Sequence, residues 1–206
     1  AQGEADQPWV IEGEPPPVGA TVMGRVDEAR RRQHMALHTA QHALSRALLD
    51  HLGAVTLSSR LGASGCTIDV DRAGLTREAL RPVEDAVHAL IDEDRPVRQH
   101  FPDAAQLAAL DLRKPPPATE RVRVVDIEGF DVTPCGGTHV QHTSQIELCW
   151  IQRVERYKGG SRIHFEAGPR ARRALRGESD RLRAVAAELR CAPHEVGDVL
   201  ASLRTK

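Results

Sequence analysis

The sequence predicts an α+β fold, an antiparallel sheet with helices packed on one side of it. Three observations carry this. Short runs of two-residue alternation, such as 66–70 and 121–127, read as strands with one wet face. Apolar residues at three- and four-residue spacing over 27–51 and 76–94 read as amphipathic helices. Two strand candidates near the C-terminus are joined by Lys158-Gly159-Gly160, a tight turn that sets neighbours antiparallel.

The elements follow in chain order. Residues 1–20 hold four acids and Pro15-Pro16-Pro17. Trp9–Ile11 and Ala20–Val26 are expected as two short strands, and the chain starts without Met, so this stretch reads as the tail of a β-rich unit whose beginning is missing. From Asp27 to His51 the residues Leu37, Ala40, Leu44, Ala47 and Leu48 mark a helix that Gly53 ends. Val55–Ser59 and Cys66–Val70 are strands around a turn at 62–65. Thr76 is expected as the N-cap of a helix to Asp94, with Leu80, Val83, Val87, Leu90 and Ile91 as its apolar stripe. Next come an extended stretch at 96–101, a short helix at 103–110 and a stiff Lys114-Pro115-Pro116-Pro117 connector. Strands are expected at 121–127, 146–156 and 162–166, then an Arg-rich helix at 169–190 and a last short helix from Pro193.

Composition narrows the chemistry. The 206 residues are 40% hydrophobic and only 3% aromatic, so the core must be built from Leu, Val, Ile and Ala. An aromatic platform for stacking bases is excluded by the same shortage. Net charge is −1, yet residues 151–206 hold 13 Lys and Arg against 7 Asp and Glu, and the first 150 hold 15 against 22. The basic C-terminal third is a candidate phosphate-binding face. No run of about 18 apolar residues exists to span a membrane. No signal-peptide pattern opens the chain, and four scattered cysteines do not make a disulfide framework, so a cytoplasmic location is expected.

Two short motifs carry chemistry. His38-Thr39-Ala40-Gln41-His42 lies on the first helix, where positions four apart share a face. Cys135-Gly136-Gly137-Thr138-His139 follows Pro134, and its two glycines allow a tight loop on which both side chains converge. Three imidazoles and a thiolate form a Zn²⁺ donor set and argue against Mg²⁺ or Ca²⁺. One zinc per chain is expected, held by His38, His42, Cys135 and His139. A zinc-protease reading fails, because the general-base Glu after the first His is replaced by Thr39. His34, one turn earlier, could join the same face, and the other histidines have no partner at ligand spacing. Cys66 and Cys149 lie in apolar strand patterns and read as core.

The paired motifs, with Arg30-Arg31-Arg32 upstream, the stretches LGASGCTIDVD ending at Asp71 and RVRVVDIEGFD ending at Asp131, and GGSRIHFEAGPRAR ending at Arg172, resemble the alanyl-tRNA synthetase editing domain and the free-standing alanyl-tRNA editing proteins. The resemblance runs from about Gly19 to Arg176. The related threonyl-tRNA synthetase domain usually has Gly-Pro-His where this chain has Gly137-Thr138-His139, which favours the alanyl branch. The resemblance implies an α+β domain of the threonyl/alanyl-tRNA synthetase second additional domain type. It assigns 1–26 to a remnant of an N-terminal β-barrel, 27–176 to a zinc-binding editing domain and 177–206 to a C-terminal helical extension.

It further implies hydrolysis of the ester joining a wrong amino acid to the tRNA 3′ end, chiefly Ser-tRNA(Ala) and also Gly-tRNA(Ala). The partner is then the acceptor end of mischarged tRNA(Ala). Four protein ligands would close the zinc site, and a catalytic role would need one of them to be loose, so three or four ligands are both open. A pocket that hydrogen-bonds the serine hydroxyl disfavours an analogue lacking it by about 10⁴–10⁵. Thr56, Ser58 and Ser59 stand where the family places its hydroxyl-sensing residue, and Gln41 and Thr138 inside the metal motifs are second candidates. Arg162, Lys158 and Arg153 are the candidates for tRNA phosphates. Two other functions stay open: a zinc-stabilised tRNA-binding module without turnover, and a deacylase of another aminoacyl-tRNA such as threonyl-tRNA.

Overall fold

A computed structural model describes residues 13–63, 65–119 and 121–205. Its spine is helix α1, Glu28–Leu52. The Asp27 carboxylate accepts from the Arg30 N–H at 3.0 Å and starts the helix. Gly53, at φ +60°, stops it in a left-handed turn that a Cβ would strain. The face between Ala36 and Leu48 is Ala and Leu with small polar residues, and it is buried throughout. Small side chains let the rest of the domain approach this helix closely, and Phe165 is the one Phe, Tyr or Trp ring fully buried among the described residues.

Strands β1 (Thr56–Leu61), β2 (Cys66–Val70), β6 (Cys149–Tyr157) and β7 (Gly160–Ala167) form an antiparallel sheet in the order β1-β2-β7-β6. Cys66, Ile68 and Val70 of β2, Ile163 and Phe165 of β7 and Cys149 and Ile151 of β6 belong to the core beneath α1 and helix α2 (Arg81–Asp92). The alternate residues Thr67, Asp69, Arg162 and His164 line the other, polar face. The sequence period of two is thus realised as one dry and one wet face. Lys158 (φ +47°) and Gly159 (φ +83°) make the tight turn between β6 and β7.

A second antiparallel sheet, β3-β4-β5, consists of Val97–His100, Val124–Ile127 and Asp131–Pro134. The α+β class holds, but with two sheets where one was expected. Strand β5 escaped the sequence pattern because it is four residues long and ends in Pro134. Pairing with β4 forms it all the same, through a turn in which Gly129 takes φ +62°. Helix α3, Ala104–Ala109, opens with a capping box between Asp103 and Gln106. Helices α4 (Gly168–Glu188) and α5 (Val196–Arg204) close the chain.

Several boundaries differ from expectation, the strand expected at 121–127 among them, since it starts only at Val124. Thr76 caps a turn, accepting from the Ala79 N–H at 3.2 Å, and α2 starts only at Arg81, with a proline in its first turn. The strand expected from Ile146 begins only at Cys149, because Thr143–Ile146 form a 3-10 turn. Residues 20–26 are exposed and pair with no strand among the described residues, while Trp9–Ile11 lies outside them. No helix among the described residues is long and apolar enough to cross a membrane.

Candidate metal centre

Helix α1 and the loop after β5 bring the two motifs together. His38 and His42 project from one face of α1, Cys135 follows the last residue of β5, and His139 precedes the buried Val140. The donor atoms of His38, His42, Cys135 and His139 all lie within 4.8 Å of one another. His38 Nε2 is 3.5 Å from Cys135 Sγ, and His139 Nε2 is 3.4 Å from it. Tetrahedral zinc with ordinary bond lengths requires ligand–ligand separations of about 3.5 Å. Spacing and donor chemistry therefore both fit a zinc-like ion.

The loop geometry depends on glycine. A Cβ on Gly137 would stand 2.2 Å from His38 Cε1, so the imidazole lies where any side chain would be. The Gly137 N–H donates to Cys135 Sγ at 3.4 Å. Arg123 Nη1 donates to the carbonyls of Cys135 at 2.9 Å and Gly137 at 2.6 Å, which fixes the turn from outside.

Neighbouring groups select the imidazole nitrogens. Thr39 Oγ1 donates to the Met35 carbonyl at 3.0 Å and accepts from the Val140 N–H at 3.2 Å. Its remaining lone pair faces His139 Nδ1 at 3.2 Å, so Nδ1 carries the proton and Nε2 is free for a metal. His42 Nδ1 stands 3.5 Å from Asp131 Oδ2, an ion-pair distance without full hydrogen-bond geometry. Arg113 chelates the same carboxylate, Nε to Oδ1 at 2.7 Å and Nη2 to Oδ2 at 3.2 Å.

The electrostatics favour a thiolate. Burial acts to raise the Cys135 thiol, but the imidazoles of His139, His38 and His42 packed against it outweigh that effect and hold it down to about 2. Burial, reinforced by the neighbouring His42 and His38 and opposed by the bond to Cys135, lowers His139 to about 4 and keeps that ring neutral. Burial raises Asp131, and the adjacent His42 together with the bonds from Arg113 bring it below the usual carboxylate value. A thiolate and neutral imidazoles are the forms that bind a metal.

A cleft of about 750 Å³ opens onto His38, His42 and Cys135, within the size range of small-ligand sites. One wall is the edge strand β1 with Val55 before it, and the other is the segment Arg113–Arg123. Gln41 and Thr56 both line it and meet at Ser45: Gln41 Nε2 and Thr56 Oγ1 each donate to Ser45 Oγ at 2.9 Å. Ser58 and Ser59 also line the cleft, but the Ser58 hydroxyl donates to Asp69 Oδ2 at 2.7 Å on the wet face of the sheet. Thr138 is exposed and is not part of the cleft lining.

Arg162, Lys158 and Arg153 do come together, though on the wet face of the sheet, in a second groove with Ser58 and Arg60. Arg162 is bonded to Asp69 through Nε at 2.6 Å and Nη2 at 2.8 Å, and it stacks 3.5 Å above the Tyr157 ring. Arg153 pairs with Glu155. His34 is not part of the donor cluster. Cys66 and Cys149 are buried in the core. Sequence reasoning missed Thr39, Asp131, Arg113 and Arg123. Thr39 had a signal in its place inside the first motif, and Arg123 and Asp131 in the stretch RVRVVDIEGFD, but no spacing encodes the pairings through which Asp131, Arg113 and Arg123 reach the site.

Residues 122–164 match the family profile described as the threonyl and alanyl tRNA synthetase second additional domain. The chain is 34% identical over 189 residues to the alanine–tRNA ligase of Halobacterium salinarum, covering 88% of this chain and 20% of that protein. It is 33% identical over 180 residues to the alanine–tRNA ligase of Thermofilum pendens, covering 84% and 20%. It is 32% identical over 184 residues to the alanyl-tRNA editing protein Aarsd1 of Rattus norvegicus, covering 86% and 44%. The chain thus spans about a fifth of the ligases it matches and less than half of the editing protein.

Proposed function

We propose that this chain, which is similar over most of its length to alanine–tRNA ligases and to an alanyl-tRNA editing protein and carries a match to the threonyl and alanyl tRNA synthetase second additional domain, is an aminoacyl-tRNA deacylase. It hydrolyses the ester of mischarged tRNA(Ala), Ser-tRNA(Ala) first and Gly-tRNA(Ala) second, with one zinc at the His38, His42, Cys135 and His139 cluster. The observation that carries this reading is the cleft that opens directly onto three of those four donors. It joins a metal-binding cluster to a space that takes one nucleotide with its amino acid.

The chain's own residues supply position and selection. An aminoacyl ester is already activated, so holding it beside the cluster contributes much of the rate. A bound zinc would supply Lewis-acid chemistry at the ester or its attacking water. Three donors face the cleft, whereas His139 is 2% exposed and is not part of its lining. His38, His42 and Cys135 are therefore the ligands whose free side the substrate can approach. The Gln41–Ser45–Thr56 chain sits in the cleft wall and offers hydroxyl and amide groups to a serine side chain. An alanine there leaves unused the hydrogen-bonding capacity that Gln41 and Thr56 retain beyond their bonds to Ser45, which is the basis of discrimination. Arg162, Lys158 and Arg153 are proposed for phosphates of the acceptor strand, with Lys158 the least constrained by an acidic partner.

The test is metal content and deacylation of Ser-tRNA(Ala), Ala-tRNA(Ala) and Thr-tRNA(Thr) by one preparation. One zinc per chain and release of serine well above the enzyme-free rate are expected. Stoichiometric zinc and tRNA binding without turnover would replace this reading with that of a binding module. Preferred release of threonine would move the specificity to another aminoacyl-tRNA.

A further inference from the structure

The Arg113–Arg123 segment walls the cleft, and guanidinium groups fasten both its ends to the elements that carry the metal donors. At the first end Arg113 chelates Asp131, whose fully buried carboxylate faces His42. The Arg113 N–H also donates to the Val132 carbonyl at 2.9 Å. At the second end Arg123 Nη1 donates to the carbonyls of Cys135 and Gly137, and the Arg123 carbonyl accepts the Cys135 N–H at 3.0 Å. Between these ends the described residues form no helix or strand, and residues 115–119 are exposed. The wall is thus long, irregular and held by two charged staples, each one group away from a metal donor.

We infer that Arg113 and Arg123 are positioning residues that join the cleft wall and the metal centre into one coupled unit. A metal that fixes His42 and Cys135 also fixes Asp131 and the two loop carbonyls, and through them both ends of the wall. The wall is then ordered only when the donors are in place, so an empty centre presents a loose cleft. Coupling of this kind is reciprocal: whatever the ordered wall holds in turn tightens the metal. The inference rests on the reading of the cleft as the site for the aminoacyl end, but its readouts do not depend on hydrolysis.

Two measurements on the full chain test it. The first is amide hydrogen exchange within 114–122, read at the amides of its non-proline residues, with and without zinc. The second is zinc affinity by competition with a chromophoric chelator. In the wild type, zinc should slow exchange across the segment at least tenfold. Arg123→Ala should abolish that slowing and weaken zinc about 10–100-fold, the range for groups that orient metal ligands. Arg98→Ala, at an exposed ion pair with Glu128, should change neither. If Arg123→Ala does not fold by circular dichroism, Arg123→Lys decides, since one ammonium can serve only part of the two-carbonyl contact and should give an intermediate affinity. Exchange in 114–122 that ignores zinc, or zinc affinity within twofold of wild type in the Arg123 variants, overturns the inference. A wild type that couples zinc to the wall yet releases no serine from Ser-tRNA(Ala) overturns the deacylase reading alone.

Discussion

Thr39 Oγ1 lies 3.2 Å from His139 Nδ1 and so ties the first metal motif to the second across one hundred residues of chain. The hydroxyl's only proton goes to the Met35 carbonyl, and one lone pair takes the Val140 N–H. What is left for His139 is an acceptor, and that sets the tautomer of the ring. Thr39→Val keeps the shape and removes the acceptor. Zinc affinity should fall about 10–100-fold, while Thr39→Ser should stay within a few fold of wild type. Competition with a chromophoric chelator reads both.

The two glycines between Cys135 and His139 are not equivalent. A Cβ at Gly137 would meet His38 Cε1 at 2.2 Å, whereas a Cβ at Gly136 meets nothing within 4 Å. Gly137→Ala should displace the His38 ring, lower zinc below one per chain and cost about 1–3 kcal/mol of stability. Gly136→Ala should retain full stoichiometry. Metal analysis after gel filtration, with a thermal melt, separates the two.

Ser45 is 1% exposed and accepts from both Gln41 and Thr56. Ser45→Ala leaves an amide and a hydroxyl in the cleft wall without their acceptor, an effect of about 1–3 kcal/mol. The ratio of Ser-tRNA(Ala) to Ala-tRNA(Ala) deacylation rates should drop about ten- to hundredfold with zinc content unchanged. A ratio that survives the substitution would place selection elsewhere in the cleft.

The pair Asp69–Arg162 makes a pH-dependent prediction. The Arg162 guanidinium bonded to Asp69, with a further bond from Ser58, holds that carboxyl below its ordinary value of 3.8 against the opposing effect of partial burial. A carboxyl lowered on folding contributes stability that is complete above its unfolded value and is lost as pH falls through the folded one. Urea midpoints of the chelator-treated chain should therefore separate wild type from Asp69→Asn near neutral pH. The two should converge between about pH 5 and pH 2. Parallel curves over that window would show that the pair contributes nothing.

Much of this molecule was legible in its sequence, for reasons that differ by element. The spacing of Leu37, Leu44 and Leu48 gave α1, because a helix that buries one face must repeat near 3.6 residues. Alternation gave β2 to the residue, Cys66–Val70, because a sheet with one dry face must repeat at two. Strand β5 was not legible, since four residues ending in proline carry no period and take their conformation from β4. Thr76 was misread for a related reason. A good capping residue caps whatever turn follows it, and Pro82 set the start of α2 downstream.

The sequence by itself determined the donor set: His38, His42, Cys135 and His139 are named by residue type and local spacing. One helix turn or one tight loop decides whether such neighbours can converge. Only the tertiary structure decided what stands around them. Asp131 reaches His42 across 89 positions because β5 packs beside α1, and Arg123 reaches Gly137 because β4 and β5 are paired. Ser58 and Arg162 both turn to Asp69 because strand register places all three on the wet face of one sheet. Local spacing fixes which atoms can bind a metal, but long-range packing fixes their protonation, their orientation and the wall of the cleft in front of them.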